Sequence, residues 1–302
     1  MALAKRIVLF LAVNFLVIFV ISTVLHLLNV GPYLAKNGLD YNSLLTFCFI
    51  WGMAGAFISL AISRITAKWM MGVQVIDPHT SDSSAKELLQ TVYHLADSAG
   101  IPRPEVGIFR SNEVNAFATG PTKSRSLVAV STGLLNRLQE KEIKAVLGHE
   151  ITHIANGDMV TMTLLQGVVN AFVMFLARVL AYAASGLSRN REGSSSGGSF
   201  MSYVLFTYLF EILFMILGSL VIAAYSRFRE FRADAGGARL TSKEAMISAL
   251  QSLQQAQNIK DPKADNPAMA AFKISNPTKQ GLLALFATHP PLDVRIERLK
   301  NS

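Results

Sequence analysis

Four long apolar runs restrict this chain more than any other feature, because a bilayer core offers the backbone no hydrogen-bond partners and favours helices as the way through it. The first run, residues 7–28, holds Asn14 and His26 but no carboxylate, lysine or arginine. It fits the ~20 residues that a crossing needs. Lys5 and Arg6 precede it as they would in a secretory leader, yet it is too long for a leader core and no small-residue cleavage site closes it. It is expected to remain as a transmembrane helix. The second run covers 44–65, with Gly52 and Gly55 expected at close helix contacts. The third covers 159–184 and the fourth 200–225, and the glycine- and serine-rich stretch 186–199 between them reads as a flexible loop. Arg178 and Glu211 fall inside the last two runs. Each is costly in lipid, so a partial pairing between them is expected.

Charged residues make up 16% of the chain, against about a quarter in soluble domains, and the apolar runs carry the deficit. The net charge of +8 does not indicate a nucleic-acid partner, since the basic residues gather beside the apolar runs instead of forming a stripe with interleaved aromatics. Lys5, Arg6, Arg64, Lys68, Arg227, Arg229 and Arg232 flank one side; Lys36, Arg189 and Arg191 flank the other. That asymmetry points both termini towards the cytoplasm. The lone Cys48, inside an apolar run, excludes an intrachain disulfide and a thiolate zinc cluster and is expected to be a small packing residue.

The expected fold class is an α+β membrane protein with four transmembrane helices. Two of these occupy 1–65, the first part of a catalytic domain follows at 66–158, a transmembrane hairpin at 159–225, and the second part of the domain at 226–302. An amphipathic helix is predicted over 83–99 (Leu88, Leu89, Val92, Leu95, Ala96), ended by Gly100 and Pro102. Short strands are predicted at 106–109, 114–118 and 127–130, then a helix from near Glu140 and another over 242–257. The stretch 259–281 has three prolines and reads as loop.

The helix from Glu140 carries the chemistry. His149 and His153 lie four apart among apolar residues at helical spacing (Ile143, Val146, Leu147, Ile151, Ile154). Both imidazoles therefore share one helix face, a turn apart, and converge on one ion. Glu150, beside them, is placed to take a proton from metal-bound water. A chance pair of polar residues on a helix surface is the competing reading, but an expected span adjoins this helix, where idle charges are unfavourable. A catalytic zinc ion needs a third ligand and one open position. Met159 stands where a third histidine could follow six residues on, which excludes that arrangement. Glu230 is the best remaining donor, although it could instead be a solvated carboxylate paired with Arg227 or Arg229. Asp234, four residues further, shares its face and could accept a hydrogen bond from a ligand imidazole.

Taken together, Asn115-Ala116-Phe117-Ala118-Thr119-Gly120, His149 to His153 followed by Asn156-Gly157-Asp158, Arg229-Glu230-Phe231-Arg232-Ala233-Asp234, and Thr288-His289-Pro290-Pro291-Leu292 resemble the HtpX family of membrane zinc endopeptidases. That family is related more distantly to the CAAX prenyl proteases. The resemblance covers nearly the whole chain with the motifs in the family's order. It implies a zincin-type cytoplasmic domain holding one zinc ion, with Glu230 as third ligand. It also implies a multi-pass protein of the bacterial inner membrane, cleaving misfolded or damaged membrane proteins at the cytoplasmic face in quality control. By the same resemblance His289, stiffened by two prolines, helps stabilise the oxyanion with Arg295. Asn115, at the start of an edge-like strand, is expected to hold substrate backbone or polarise the scissile carbonyl, the alternative being a plain turn residue. His26, His79 and His94 read as interfacial, turn and helix-surface residues. A prenyl-protein protease and a scaffold with structural zinc are the rival functions. A transporter is disfavoured because Asn14, Arg178 and Glu211 are too few for a polar pathway. Oligomeric state is not indicated.

Overall fold

The structure, a computed structural model, describes residues 41–192, 196–256 and 281–302, without the side chains of residues 41, 186–192, 196–199 and 281–283. The span expected at 7–28 and nearly all of the 259–281 loop lie outside the described residues. Among those described, one compact unit takes in the residues up to Phe57 and Thr163–Ile222, the other Ile58–Met162 and Ala223–Ser302.

Three of the described helices are long and apolar enough to cross a membrane. They are α1 (Tyr41–Met71), α5 (Asp158–Glu192) and α6 (Ser196–Leu240), each enclosing one predicted run. Of the three, α5 is the most buried. In the first unit α1 meets α5 where the chain is smallest: a Cβ at Gly52 would stand 2.7 Å from Gly167 O and 2.8 Å from Ala171 N. Gly55 departs from expectation, because no described residue comes within 4 Å of a Cβ built there. Cys48 is fully buried with Leu44 and Met174. Arg178 Nη1 donates to Glu211 Oε1 at 2.8 Å and to the carbonyl of Met174 at 2.9 Å, so the expected partial pairing is present as a direct contact, with Glu211 Oε2 buried and without a hydrogen-bond partner among the described residues.

The stretch 186–199 is not a loop throughout, since α5 continues to Glu192 and α6 begins at Ser196. Extending an existing helix gains one hydrogen bond per residue fixed. This outweighs the ~1 kcal/mol that each glycine costs relative to alanine.

The second unit is built around a four-stranded sheet, β1 (Gln74–Val75), β2 (Glu105–Phe109), β3 (Ala116–Thr119) and β4 (Leu127–Ser131), in the order β1-β2-β4-β3. β4 runs parallel to β2 and antiparallel to β3, which leaves β3 as an edge. All five residues of β4 are buried. On one face Phe109, Phe117, Leu127 and Ala129 pack with Ala67 from the end of α1. That end is also tied down electrostatically, with Arg64 and Lys68 both on Glu105. On the other face Val106, Ala116, Val128 and Val130 join the main core. The core includes residues of α2 (Ser83–Ser98, capped by Asp82), α3 (Thr132–Arg137), α4 (Glu140–Asn156), α7 (Lys243–Ala256) and α8 (Leu292–Lys300). α4 packs on α2, α7 and the edge strand β3. The predicted helices and strands sit within a residue or two of α2, α4, α7, β2, β3 and β4, whereas β1, α3 and α8 are too short for periodicity to reveal.

Candidate active site

Helix α4 turns polar groups inward as well as apolar ones. At its start Gln139 and Glu142 form a capping box, and Glu142 accepts hydrogen bonds from Ser248 and Ser252 at 2.5 and 2.9 Å, tying α4 to α7. In its last turns His149, Glu150 and His153 are all buried. The two imidazoles meet edge to face with their Nε2 atoms 3.1 Å apart. Gly157 ends the helix with a left-handed φ of 68°, a conformation that glycine adopts without a Cβ penalty. The reversal folds the first residue of α5 back onto the site, and Asp158 Oδ2 comes to 2.6 Å from His153 Nδ1.

Helix α6 supplies the other half. Glu230 is fully buried, with Oε2 3.4 Å from His149 Nε2 and Oε1 3.4 Å from His153 Nε2. The solvated alternative for this carboxylate is thereby excluded. Arg229 approaches its Oε1 at 3.4 Å, while Arg227 turns away to the carbonyls of Leu285 and Ala287. One turn on, Asp234 Oδ1 lies 2.9 Å from His149 Nδ1, within ion-pair reach although not in line for a straight hydrogen bond. The close approach of α6 to α4 depends on Gly237, where a Cβ would stand 2.9 Å from the backbone nitrogen of His149.

The C-terminal segment closes the cluster. Arg295, on α8, clasps Asp234 through Nε and Nη2 at 2.8 and 2.6 Å, with Nη1 3.8 Å from Glu230 Oε2. His289 Nδ1 lies 3.0 Å from the same oxygen. Six expected residues, His149, His153, Glu230, Asp234, His289 and Arg295, thus form one connected set, with Glu150 adjoining His149 on the same helix. Asn115 is held by the sheet: its N–H donates to Ser131 Oγ at 3.0 Å and its carbonyl accepts from Ser131 N–H at 2.8 Å. It is buried at the head of β3.

Burial alone would favour the neutral form of His149, but Asp234 and Glu230 outweigh it and push its pKa up to about 9. His153 is raised for the same kind of reason, burial opposing and Glu230 and Asp158 prevailing. Arg295 stays charged: burial acts against it, and Asp234, Glu230 and Glu150 overcome that. The carboxylates here demand compensating positive charge. His149, His153 and Glu230 each offer a ligand atom, all within 4.8 Å of one another, and this set could hold a metal ion.

Asp158 is the site residue that spacing arguments passed over. Five positions from His153 is the wrong interval for one helix face, and the signal was the preceding Gly157, which breaks the helix. Gly237 was missed as well, because a packing glycine has no chemistry of its own to attract notice.

The model of peptidase family M48 matches residues 82–302. Over 98% of both chains, this one is 50% identical to a "Protease HtpX homolog" of Methylacidiphilum infernorum and 49% identical to a "Protease HtpX" of Chromohalobacter salexigens. A Bacillus subtilis "Protease HtpX homolog" is 48% identical over 99% of both. Among solved structures, that of "S. mikatae Ste24p" is similar with a TM-score of 0.53 and 20% identity, over 92% of this chain and 66% of that one, a likeness of fold. Given these relatives and the metal-ready triad on helices adjoining apolar spans, the chain belongs to peptidase family M48 and, within it, to the HtpX membrane metalloproteases.

Proposed function

We propose that the chain is a zinc-dependent endopeptidase that cleaves misfolded or damaged membrane proteins at the cytoplasmic face of the bacterial inner membrane. One observation carries the choice of metal. With Asp158 on the Nδ1 side of His153 and Asp234 beside Nδ1 of His149, both Nε2 atoms face inward and meet the Glu230 carboxylate. Their separations of 3.1, 3.4 and 3.4 Å match the ~3.3 Å edge of a donor tetrahedron with zinc bonds of ~2.05 Å. Two imidazoles and one carboxylate leave a position open, the pattern of catalytic zinc as opposed to structural zinc.

Bound there, zinc would supply Lewis acidity, namely a water of lowered pKa and a polarised carbonyl. The remaining steps fall to the chain's own residues. Glu150 takes the proton of the attacking water and returns it to the leaving amine. His289, beside the ligand carboxylate, stabilises charge developing on the carbonyl oxygen. Arg295 holds Asp234, and Asp234 in turn holds His149, so that pair orients a ligand. The edge strand β3, headed by Asn115 and packed on α4, is suited to take substrate backbone as an added strand. Basic residues at the ends of the apolar helices favour a cytoplasmic site and termini.

Zinc analysis and casein hydrolysis by the full chain in detergent test the reading. Glu150→Gln should keep one zinc per chain and lose cleavage, whereas Glu230→Ala should lose the zinc. Normal turnover by Glu150→Gln would sink the mechanism. Cleavage of a prenylated peptide in preference to a misfolded membrane protein would move the substrate assignment to a CAAX-type protease. A non-catalytic scaffold has no use for the buried Glu150 beside its ligands.

A further inference from the structure

One stripe of α6 grips the C-terminal segment at three successive points. Arg227, Glu230 and Asp234 lie at intervals of three and four, hence on one helix face. Arg227 Nη1 donates to the carbonyls of Leu285 and Ala287 at 2.7 and 2.8 Å. Glu230 meets His289, and Asp234 takes the bidentate clasp of Arg295. His289 therefore stands on a short bridge anchored two residues before it by Arg227 and six residues after it by Asp234. Pro290 and Pro291 stiffen the span between. The Leu285 and Ala287 carbonyls belong to a 3-10 turn (Gly281–Phe286) and its exit, with Ala287 N–H donating to Ala284 O at 3.1 Å. A short turn of this kind, with poor hydrogen-bond geometry, is weakly self-supporting.

We propose that Arg227 is a positioning residue for catalysis, a clamp that holds the 285–287 backbone so that the His289 ring stays against the Glu230 carboxylate. This rests on the role given to His289 above. Arg227 touches neither the metal donors nor a reacting atom, and it acts only through the backbone it holds. An arginine suits the task because the two N–H bonds of Nη1, fixed in the guanidinium plane, can each meet one carbonyl, whereas the lysine ammonium is a single, mobile point charge.

The test uses the full chain in detergent, loaded with zinc, hydrolysing an internally quenched casein peptide. Arg227→Gln should lower kcat by about ten-fold, the scale of a small misplacement of a catalytic group, with KM and zinc content unchanged. Arg227→Lys should recover part of the loss. Hydrogen exchange of the Ala287 amide, which donates to Ala284 O at 3.1 Å, should accelerate in Arg227→Gln while that of the α4 amides does not, a readout independent of turnover. In a double-mutant cycle, adding Arg227→Gln to His289→Ala should cost little beyond His289→Ala alone. Unchanged kcat in His289→Ala overturns the reading of His289 itself. A His289→Ala defect accompanied by normal kcat in Arg227→Gln, or by two losses that multiply in the double variant, overturns the clamp and leaves His289 standing. Loss of zinc in Arg227→Gln likewise overturns it.

Discussion

At the scale of residues, the legible part of the site was whatever a single helix face could state. His149 and His153 declare themselves by an interval of four, as does Asp234 relative to Glu230, and the structure brings all four together. Asp158 escaped because its partnership with His153 crosses a chain reversal, and periodic spacing is blind across a break. The consequence can be measured. The two Nδ1 atoms have separate carboxylate partners, Asp234 for His149 and Asp158 for His153. Such outer partners fix ring orientation and raise ligand basicity, and losing one typically costs 10–100-fold in metal affinity. Asp158→Asn should therefore weaken zinc binding by about that factor in competition with a chromophoric chelator. The fold should survive, since the amide matches the carboxylate in size and can still accept a hydrogen bond. Wild-type affinity in this variant would show that the 2.6 Å contact is incidental to the metal centre.

At the scale of elements, α6 differs most from what patterns could say. The fourth apolar run fades near residue 225, and the eye stops there, yet the helix runs unbroken for 45 residues to Leu240. Its continuation is amphipathic in an unusual sense, presenting a stripe of charge to a buried site and two glycines to residues of α4. Neither property registers in a hydrophobic period. Gly237 is the sharpest instance, because its missing side chain lets α6 lie against the backbone of His149. Since α4 offers main chain at this point, a methyl group has nothing flexible to displace, and the two helices must separate by a few tenths of an ångström. Gly237→Ala should cost about 1–3 kcal/mol, as overpacking does, even though alanine favours the helix by ~1 kcal/mol. Zinc affinity should fall with it, because Glu230 and Asp234 ride on the helix that moves. Chelator competition and thermal unfolding check both parts, and a more stable variant with unaltered affinity would refute the packing argument.

At the scale of the whole molecule, the candidate metal donors come from chain segments on either side of two long apolar helices: α5 leaves from His153's own neighbour Asp158, and α6 ends with Glu230 in its last turns. Apolar runs and one motif made that order readable, but not what ties α5 to α6. Arg178 and Glu211 supply a candidate answer inside the first unit. Both are almost fully buried, paired at 2.8 Å, and Arg178 is further satisfied by the Met174 carbonyl. A buried pair is weak evidence of net stability, since removing two charges from water opposes their attraction, but breaking one is costly. Glu211→Leu leaves a guanidinium stranded and should destabilise the full chain in detergent by about 3–5 kcal/mol. Arg178→Met combined with Glu211→Leu removes both charges and should recover most of that loss. Zinc stoichiometry should stay at one in the double variant, because Arg178 and Glu211 lie in the first unit and Glu230 in the second. If the double variant is as unstable as the single one, the two residues matter separately and the pair is not a unit. If it is stable but cannot bind zinc, the two charges serve the active centre as well as the packing of α5 and α6.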